Sequence, residues 1–378
     1  MLGRRLKGLD HNFLLVLGII LVLNLLILSS ATANMNADVL YYVKRQALWI
    51  VLGLIAAGVI TFAFDYSKLH QWHHAIYAVM VVMLLAVLVV GHSANGAQRS
   101  IQIPGLGFDL QSSEFAKIMI IVCFASYLSR RQGELQHLKD LAPCILYFAV
   151  PFLLVFIQPD LGTSLVFIVI FFGMLYLAGA RSALLLKLLG GGLAVIALAL
   201  ALHFSPLHVP LPLKDYQLSR LVVFVNPYSD PQGDGYHIIQ SLVAVGSGGF
   251  WGKGLYHGSQ VQLNFLPEHH TDFIFSVIGE ELGFLGAGVL LVLYYNLIAR
   301  AQAMAFQSRD TFGRLLIGGV LFMWLFHIME NIGMTIGIMP VTGIPLPFMS
   351  YGGSSMLTNL IAVGLILNVY MRKELLLF

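Results

Sequence analysis

The sequence is poor in charged residues and contains almost no cysteine. Only 10% of its 378 residues are Asp, Glu, Lys or Arg, whereas soluble domains carry about 25%. The net charge of +3 is spread along the chain without a basic run, which argues against nucleic acid as a partner. Cys123 and Cys144 both fall in apolar segments, so we expect two buried thiols rather than a disulfide.

Long apolar runs take the place of the missing charge. Hydrophobic residues make up 58% of the chain, and ten runs are long enough to cross a hydrocarbon core of about 30 Å. The sequence therefore predicts an all-α polytopic membrane protein of ten transmembrane helices that forms one domain, residues 1–378. The predicted spans are 13–31, 47–64, 72–91, 113–129, 142–158, 162–180, 184–203, 272–299, 313–337 and 353–371.

The distribution of Lys and Arg predicts the orientation of these spans. Most of the 21 basic residues fall in the termini and in the loops on the same side, and such loops are typically cytoplasmic. We therefore expect both termini in the cytoplasm and the segments 92–112, 204–271 and 338–355 outside. A loop as long as 204–271 is uncommon unless it carries function. Its aromatic and apolar pattern predicts interfacial helices that pack over the bundle.

Ionisable residues crowd at the start of the eighth span. Glu268, His269, His270 and Asp272 come directly before a long apolar run, where each charged group costs desolvation energy. Asp272 or the neighbouring Thr271 could simply cap the helix, but a cap does not need the whole cluster. We interpret the cluster as the contact with a polar substrate, and Asp272 as a general base whose pKa is raised by desolvation.

The same cluster does not have the spacing of a zinc site, because adjacent histidines point in different directions. No residue is therefore assigned as a metal ligand. A hard divalent cation, Mg²⁺ or Mn²⁺, held by carboxylates and by pyrophosphate oxygens, stays open as a cofactor.

Two more polar groups lie at the starts of the fourth and sixth spans. Glu114 and Lys117 are three residues apart and share a helix face. This spacing suits either an ion pair that neutralises itself or one wall of a polar cavity, and Gln111 and Arg99 nearby favour the cavity. Asp160 is interpreted as a helix cap or as a cavity residue, and both alternatives stay open.

Glycine and serine mark two further segments. Gly246–Gly249 and the glycines that follow allow close backbone packing or present N–H groups to an anion. Ser350 to Ser355 open the tenth span, where free N–H groups and the helix dipole form a natural phosphate site; a serine-capped helix start is the compatible alternative. Glu280, Glu281 and Glu330 lie within spans, and we expect them to make polar contacts inside the bundle.

Distinctive motifs occur along nearly the whole chain, all on the predicted outer side. They are Gly-Ala-Gln-Arg at 96–99, Gln111 with Ser-Glu-Phe-Ala-Lys at 113–117, Gln-Pro-Asp-Leu-Gly-Thr at 158–163, Gly-Tyr-His-Ile-Ile-Gln-Ser at 235–241, Gly-Ser-Gly-Gly at 246–249, the stretch 262–283, and Pro-Val-Thr-Gly-Ile-Pro-Leu-Pro at 340–347 through Ser355. In this order they resemble the SEDS family of peptidoglycan polymerases, and the match is highly specific. The residues at 264–267 and 343–345 favour the branch of cell elongation over the division branch.

The resemblance implies a fold and an activity. The family has ten transmembrane helices with a large extracytoplasmic loop between the seventh and the eighth, in the bacterial cytoplasmic membrane. It polymerises lipid II, the undecaprenyl-pyrophosphate-linked disaccharide-pentapeptide, into glycan strands with a class B penicillin-binding transpeptidase as partner. The family's essential aspartate corresponds to Asp272. Ser100 and Ser112 stand where the family usually has Trp and Pro, and Glu330 is also atypical.

Transfer from an α-linked pyrophosphate to a β-1,4 bond inverts the anomeric carbon. It needs a base on the acceptor hydroxyl and positive charge at the leaving pyrophosphate. Asp272 is the predicted base, and apolar grooves between spans would hold the polyprenyl tail among membrane lipids. The predicted substrate-binding residues are the cations Arg45, Arg99, Lys117 and Arg220, with Gln111, Glu114, Asp160, Tyr236, Gln240, Lys253, Glu268, His270, Ser350 and Gly352.

Other classes of function stay open. A flippase or transporter of the lipid-linked precursor would also use a central polar cavity, but it needs a polar path to the cytoplasmic side, where the loops lack such groups. A scaffold that only recruits the transpeptidase would not explain why ionisable residues accumulate at one face. Within the family, a division-type role is the alternative to elongation.

Overall fold

The computed structural model describes residues 8–35, 40–90, 92–94, 97–102, 109–158, 160–205, 209–210 and 215–374. Long apolar helices form its bundle, and their bounds follow the predicted spans closely. They are α1 (His11–Ala31), α2 (Tyr41–Ala63), α3 (Ser67–Val90), α4 (Ser112–Ser129), α5 (Leu138–Ile157), α6 (Leu161–Leu177), α7 (Ser182–Phe204), α11 (Ile274–Phe306), α12 (Thr311–Thr335) and α13 (Gly353–Met371).

Nine of these helices in the described ranges are long and apolar enough to cross a membrane. The remaining predicted span, 162–180, corresponds to α6, a shorter apolar helix of 17 residues. It is short because Asp160 caps its start and Gly179, at φ +90°, follows its end. The predicted class, a polytopic membrane protein built from helices, is confirmed.

A 3₁₀ turn (Arg372–Glu374) follows α13. The opposite end of the bundle carries the other elements, and we call it the site end. Between α7 and α11 lie α8 (Asp215–Val225), a 3₁₀ turn (Pro227–Ser229), α9 (Asp234–Ser247) and α10 (Ser259–Gln262), in the segment where interfacial helices are predicted. Between α3 and α4 a small antiparallel sheet, which the sequence analysis does not predict, contains β1 (His92–Ala94), β2 (Ala97–Gln102) and β3 (Asp109–Gln111). Ser100 on β2 pairs with Gln111 on β3, directly before α4.

The helices differ strongly in how far they are enclosed. In the most apolar 18 residues of each helix, 78% are buried in α4 and in α13 but only 6% in α7. The α2 and α13 backbones approach closely, since a Cβ on Gly364 would come within 2.8 Å of Ala57 Cα, as is common between membrane helices. The bundle centre therefore lies around α4, α12 and α13, and α7 lies at its edge.

Helix α11 is interrupted near its start. Gly283 has φ +65° and ψ −163°, so the carbonyls of Glu280 and Glu281 lose their partners within the helix. The backbone N–H groups of Lys253 and Gly254 donate to them at 3.0 and 2.9 Å. A Cβ on Gly252 would lie 2.2 Å from Glu281 O, so glycine is required there. Gly252 therefore serves close backbone packing, which is one of the two roles predicted for the glycine-rich segment.

Candidate active site

A polar cavity of about 270 Å³ lies at the site end of the bundle. Its walls come from the starts of α4, α6 and α13, from α12, from the turn before α11 and from the segment between α12 and α13. The lining residues are Gln111, Glu114, Lys117, Asp160, Thr163, Val166, Thr271, Asp272, His327, Gly343, Ile344, Pro345, Tyr351, Gly352, Gly353, Ser354 and Ser355.

Asp272 lies in the turn directly before α11 and lines the cavity. The helix begins at Ile274, and its N-cap residue is Phe273, so Asp272 is not the capping residue. A Cβ built on Gly343 would come within 3.0 Å of Asp272 Oδ2, and Gly343 has φ +72°. Glycine at 343 therefore leaves the room that the Asp272 carboxylate occupies.

The end of α12 joins the Asp272 turn to the segment before α13. Asn331 Nδ2 donates to Asp272 O and to Ile344 O, both at 2.8 Å. Glu330 Oε1 accepts from Thr342 Oγ1 at 2.6 Å. The polar contact that is expected for Glu330 inside the bundle is therefore a bond to the segment between α12 and α13.

Asp160 is at once a helix cap and a cavity residue. Its carboxylate accepts from the backbone N of Thr163 at 3.1 Å and from the Thr163 hydroxyl at 2.9 Å. It also accepts from Ser113 Oγ at 3.0 Å and from Gln111 Nε2 at 3.4 Å. The group therefore connects the starts of α4 and α6.

The deep end of the cavity contains a buried ion pair. Lys117 Nζ lies 2.7 Å from Glu114 Oε1, and the two side chains are 1% and 2% exposed. Lys117 Nζ also lies 3.1 Å from His327 Nε2. An ammonium group has donors and no acceptor, so His327 Nε2 accepts this bond and the proton of the neutral ring is on Nδ1. The pair therefore neutralises itself and lines the cavity, and its predicted role in binding substrate stays a prediction.

The start of α13 forms another wall. Gly352, Gly353, Ser354 and Ser355 line the cavity, and Gly352 N donates to Gln46 Oε1 at 3.3 Å. Ser350 has a different position. Its hydroxyl donates to Thr271 O at 2.6 Å and accepts from Leu346 N at 2.8 Å, so it connects two cavity walls from behind.

The histidines before Asp272 support the turn. His270 packs between the rings of Tyr42 and Tyr351, with centroids 5.0 and 5.8 Å away. Burial, and secondarily the nearby His269, lower the pKa of His270 to about 4, so its ring is neutral near pH 7. His269 Nε2 lies 2.8 Å from Ala31 O at the end of α1. Glu268 is exposed, and its carboxylate accepts from Thr271 Oγ1 at 2.9 Å.

Those of the other predicted binding residues whose side chains the structure describes do not line this cavity. Arg45 donates to Tyr41 Oη at 2.6 Å, and Lys253 pairs with Glu280 at 2.7 Å. Arg220 lies on α8, and Tyr236 and Gln240 lie on α9. The backbone of Arg99 belongs to β2, but its side chain lies outside the described part of the chain. These assignments stay predictions.

Several cavity residues are absent from the sequence-based set, His327 and Tyr351 among them. His327 lies within a predicted span, where an ionisable side chain signals a functional or paired group. Its partner Lys117 is 210 positions away, so no local pattern could connect the two.

The cavity offers few ligands for a metal ion. Within the part of the chain that the structure describes, no three His, Cys, Asp or Glu side chains come together to hold one. A divalent cation in the cavity would therefore take most of its ligands from the oxygens of a substrate, and the predicted Mg²⁺ or Mn²⁺ stays a prediction.

The fold and the cavity are those of a multi-pass membrane protein with a polar site at one end of its bundle. The sequence-family model of the FtsW, RodA and SpoVE proteins, described as "Cell cycle protein", matches residues 9–375 of this chain. The peptidoglycan glycosyltransferase MrdB of Escherichia coli K12 is 36% identical over 97% of this chain and 95% of its own length. The probable peptidoglycan glycosyltransferase FtsW of Trichlorobacter lovleyi is 36% identical over 97% and 94%.

Solved structures give the same result. A chain of a peptidoglycan synthase complex that coordinates polymerization and crosslinking has a TM-score of 0.79 and 30% identity, over 97% of this chain and 98% of that one. The rod shape determining protein RodA of Thermus thermophilus has a TM-score of 0.70 and 29% identity, over 97% of both chains. The chain belongs to the FtsW/RodA/SpoVE family, the SEDS family of the sequence analysis. The predicted enzyme class, a peptidoglycan glycosyltransferase, is confirmed.

Proposed function

We propose that this chain polymerises lipid II into β-1,4 glycan strands with inversion at the anomeric carbon, and that Asp272 is the general base. The observation that carries the proposal is the position of the Asp272 carboxylate at the wall of a polar cavity. The cavity lies within a bundle of apolar helices. A substrate with a polar sugar head and a polyprenyl tail fits such a boundary, because each part meets a matching environment.

In the proposed reaction the acceptor 4-hydroxyl loses its proton to Asp272 while its oxygen bonds to the anomeric carbon of the donor. The bond from that carbon to the pyrophosphate breaks, and undecaprenyl pyrophosphate leaves with the electron pair. Inversion places base and leaving group on opposite faces of the sugar. Lys117 and the N–H groups at the start of α13 are the cavity groups suited to the departing negative charge.

The remaining expectations concern position and role in the cell. We propose that the site end faces outward, that both termini are cytoplasmic, and that residues 204–271 form an extracytoplasmic loop within a single domain, 1–378. The basic loops of the opposite side support this orientation. Elongation is the proposed role, and a class B penicillin-binding transpeptidase the proposed partner. The similarity to a chain of a synthase complex that couples polymerization to crosslinking supports such a partner.

Polymerisation is favoured over transport by the polar groups of α4. Its residues at the site end include Glu114 and Lys117, but Ile118, Ile120 and Ile121 follow and are buried. A flippase needs polar groups along the whole path of the head group, because charge in an apolar interior is costly.

The proposal is tested with purified protein in detergent or liposomes, supplied with lipid II and scored by glycan ladders on gels. D272A and D272N should lower the polymerisation rate by about 100- to 10,000-fold, the usual contribution of a general base. Both variants should unfold near the wild-type temperature, since Asp272 does not cap α11.

Asp310 supplies the matched control. It caps α12 at the opposite end of the bundle, where its carboxylate accepts from Gly313 N at 2.8 Å. D310A should lose a little stability, about 1 kcal/mol, and keep its polymerisation rate. A D272A protein that makes glycan as fast as wild type would refute the base assignment.

A further inference from the structure

The last two turns of helix α12 contain two adjacent polar residues that the proposed reaction does not use directly. Glu330 and Asn331 are 2% and 0% exposed, in a helix that is apolar enough to span a membrane. Buried polar groups are costly unless they make specific bonds, so the partners of these side chains indicate why they are present.

Asn331 holds two cavity walls together. The two hydrogens of its amide nitrogen go to two carbonyls, Asp272 O and Ile344 O, each at 2.8 Å. The first carbonyl belongs to the proposed base itself, and the second to the segment that passes in front of it. Asn331 therefore helps to fix the distance between the two walls, together with Ser350, whose hydroxyl also bonds to both.

Glu330 bonds to the same segment, two residues before Ile344. Its Oε1 accepts from the hydroxyl of Thr342 at 2.6 Å, and Thr342 is 4% exposed. The next residue, Gly343, is the one whose Cβ position lies 3.0 Å from Asp272 Oδ2. On the other side, a Cβ on Gly162 would come within 2.9 Å of Thr342 O, so α6 limits movement away from the base.

We propose that Glu330 is a positioning residue for the glycosyl transfer, acting through Thr342 and Gly343 on the carboxylate of Asp272. The bond to Thr342 fixes the backbone at Gly343, which lines the cavity beside the Asp272 carboxylate. A Cβ at position 343 would come within 3.0 Å of Asp272 Oδ2, so a shift of this backbone would change the space in which the carboxylate is held. The inference rests on the proposed role of Asp272 as base. It also gives a function to a residue at which this chain departs from the pattern of its family.

The test is the kinetics of lipid II polymerisation by purified variants. E330A and T342V each remove the bond and should lower kcat by about 10- to 100-fold, because displacement of a catalytic group by about 1 Å has effects of that size. KM should stay within about twofold of wild type, since no contact with substrate is removed. The double variant should be no slower than the slower single variant, because both changes break one interaction.

Two further variants separate positioning from folding. E330Q keeps an oxygen that accepts from Thr342 and should restore most of the rate. T335V removes another buried hydroxyl of α12, which bonds only to Ile332 O within its own helix, and should leave kcat unchanged. Thermal unfolding of each variant in detergent gives the folded fraction by which rates are divided.

The outcomes are distinct. Wild-type kcat in folded E330A and T342V, with D272A inactive, would overturn the positioning role and leave the base assignment intact. Activity in D272A would remove the base assignment and this inference with it. If E330A does not fold, T342V alone decides, because its change is limited to one methyl-for-hydroxyl replacement.

Discussion

Two Glu–Lys pairs at the site end have the same length and different surroundings. Lys117 and Glu114 of α4 are 2.7 Å apart, and so are Lys253 and Glu280, which join the segment before α10 to α11. The first pair is 1% and 2% exposed; in the second, Glu280 is fully buried and Lys253 is 28% exposed. By charge and distance alone the two pairs could not be told apart.

The groups around each pair make the difference. Glu114 and Lys117 line the cavity together with His327. Glu280 instead accepts from Ser259 Oγ at 3.2 Å and from Gln260 N at 3.0 Å, and its second oxygen would lie 2.8 Å from a Cβ on Gly258. A loop therefore packs against the Glu280–Lys253 pair, whereas open volume adjoins the Glu114–Lys117 pair. Of the two pairs, Glu114–Lys117 is the one that adjoins open volume, and the proposed active site is placed there for that reason.

The neighbouring Glu281 extends the second cluster. Its Oε1 accepts from Ser30 Oγ of α1 at 2.6 Å, and Gln262 Nε2 donates to Ser30 O at 3.0 Å. These bonds attach the loop segment to α1 and α11, so we interpret the cluster as an anchor for the segment that leads to Asp272.

The largest difference between the two pairs is expected in the polymerisation rate when Lys117 is replaced. K117M keeps the length of the side chain but removes its charge, which should lower kcat of lipid II polymerisation by about 100- to 1,000-fold, as for loss of one preorganised electrostatic group. It also leaves Glu114 buried without its partner, at a cost of about 3–5 kcal/mol. Polymerisation assays and thermal unfolding measure the two effects.

A double variant separates stability from activity at this site. E114Q with K117M removes both charges, so most of the lost stability should return while the polymerisation rate stays low. Recovery of the rate together with stability would mean that the pair only supports the fold, as the Glu280–Lys253 pair does in our account.

A smaller effect is expected at Lys253, where stability should fall and the polymerisation rate should change little. K253M leaves Glu280 unpaired and should destabilise the protein by about 2 kcal/mol, less than at Lys117 because Lys253 is partly exposed. The polymerisation rate per folded molecule should stay within about threefold of wild type. K253M with E280Q should regain stability. A low rate in a fully folded K253M would return Lys253 to the predicted substrate-binding residues.

The sequence predicts the helices well because membrane spans depend on length and apolarity, which are local properties. It does not predict the sheet between α3 and α4, whose strands are three to six residues long and too short for a periodic pattern. Nor does it predict the interruption of α11 at Gly283, because the bonds that replace those of the helix come from Lys253 and Gly254, about 30 positions earlier.

The site also has features that local sequence reveals and features that depend on contacts between distant positions. Asp272, Glu114 and Lys117 could be found because unusual charges stand out against apolar sequence. Three-dimensional partners could not be found in this way. His327 contacts Lys117 from another helix. Near the end of α12, Asn331 bonds to Asp272 O, and Glu330 bonds to Thr342 in the segment before α13.

The central claim is that substrate occupies the cavity at Asp272, and thiol protection tests it most directly. The native Cys123 and Cys144 are fully buried, so a maleimide should react selectively with an introduced cysteine. One variant, T271C, places the cysteine in the cavity. The control variant, S259C, places it at an exposed position beside the Glu280–Lys253 pair. In a D272N background, which prevents turnover, lipid II should slow labelling of T271C at least about tenfold and leave S259C unchanged. Equal labelling of T271C with and without saturating lipid II would contradict the account.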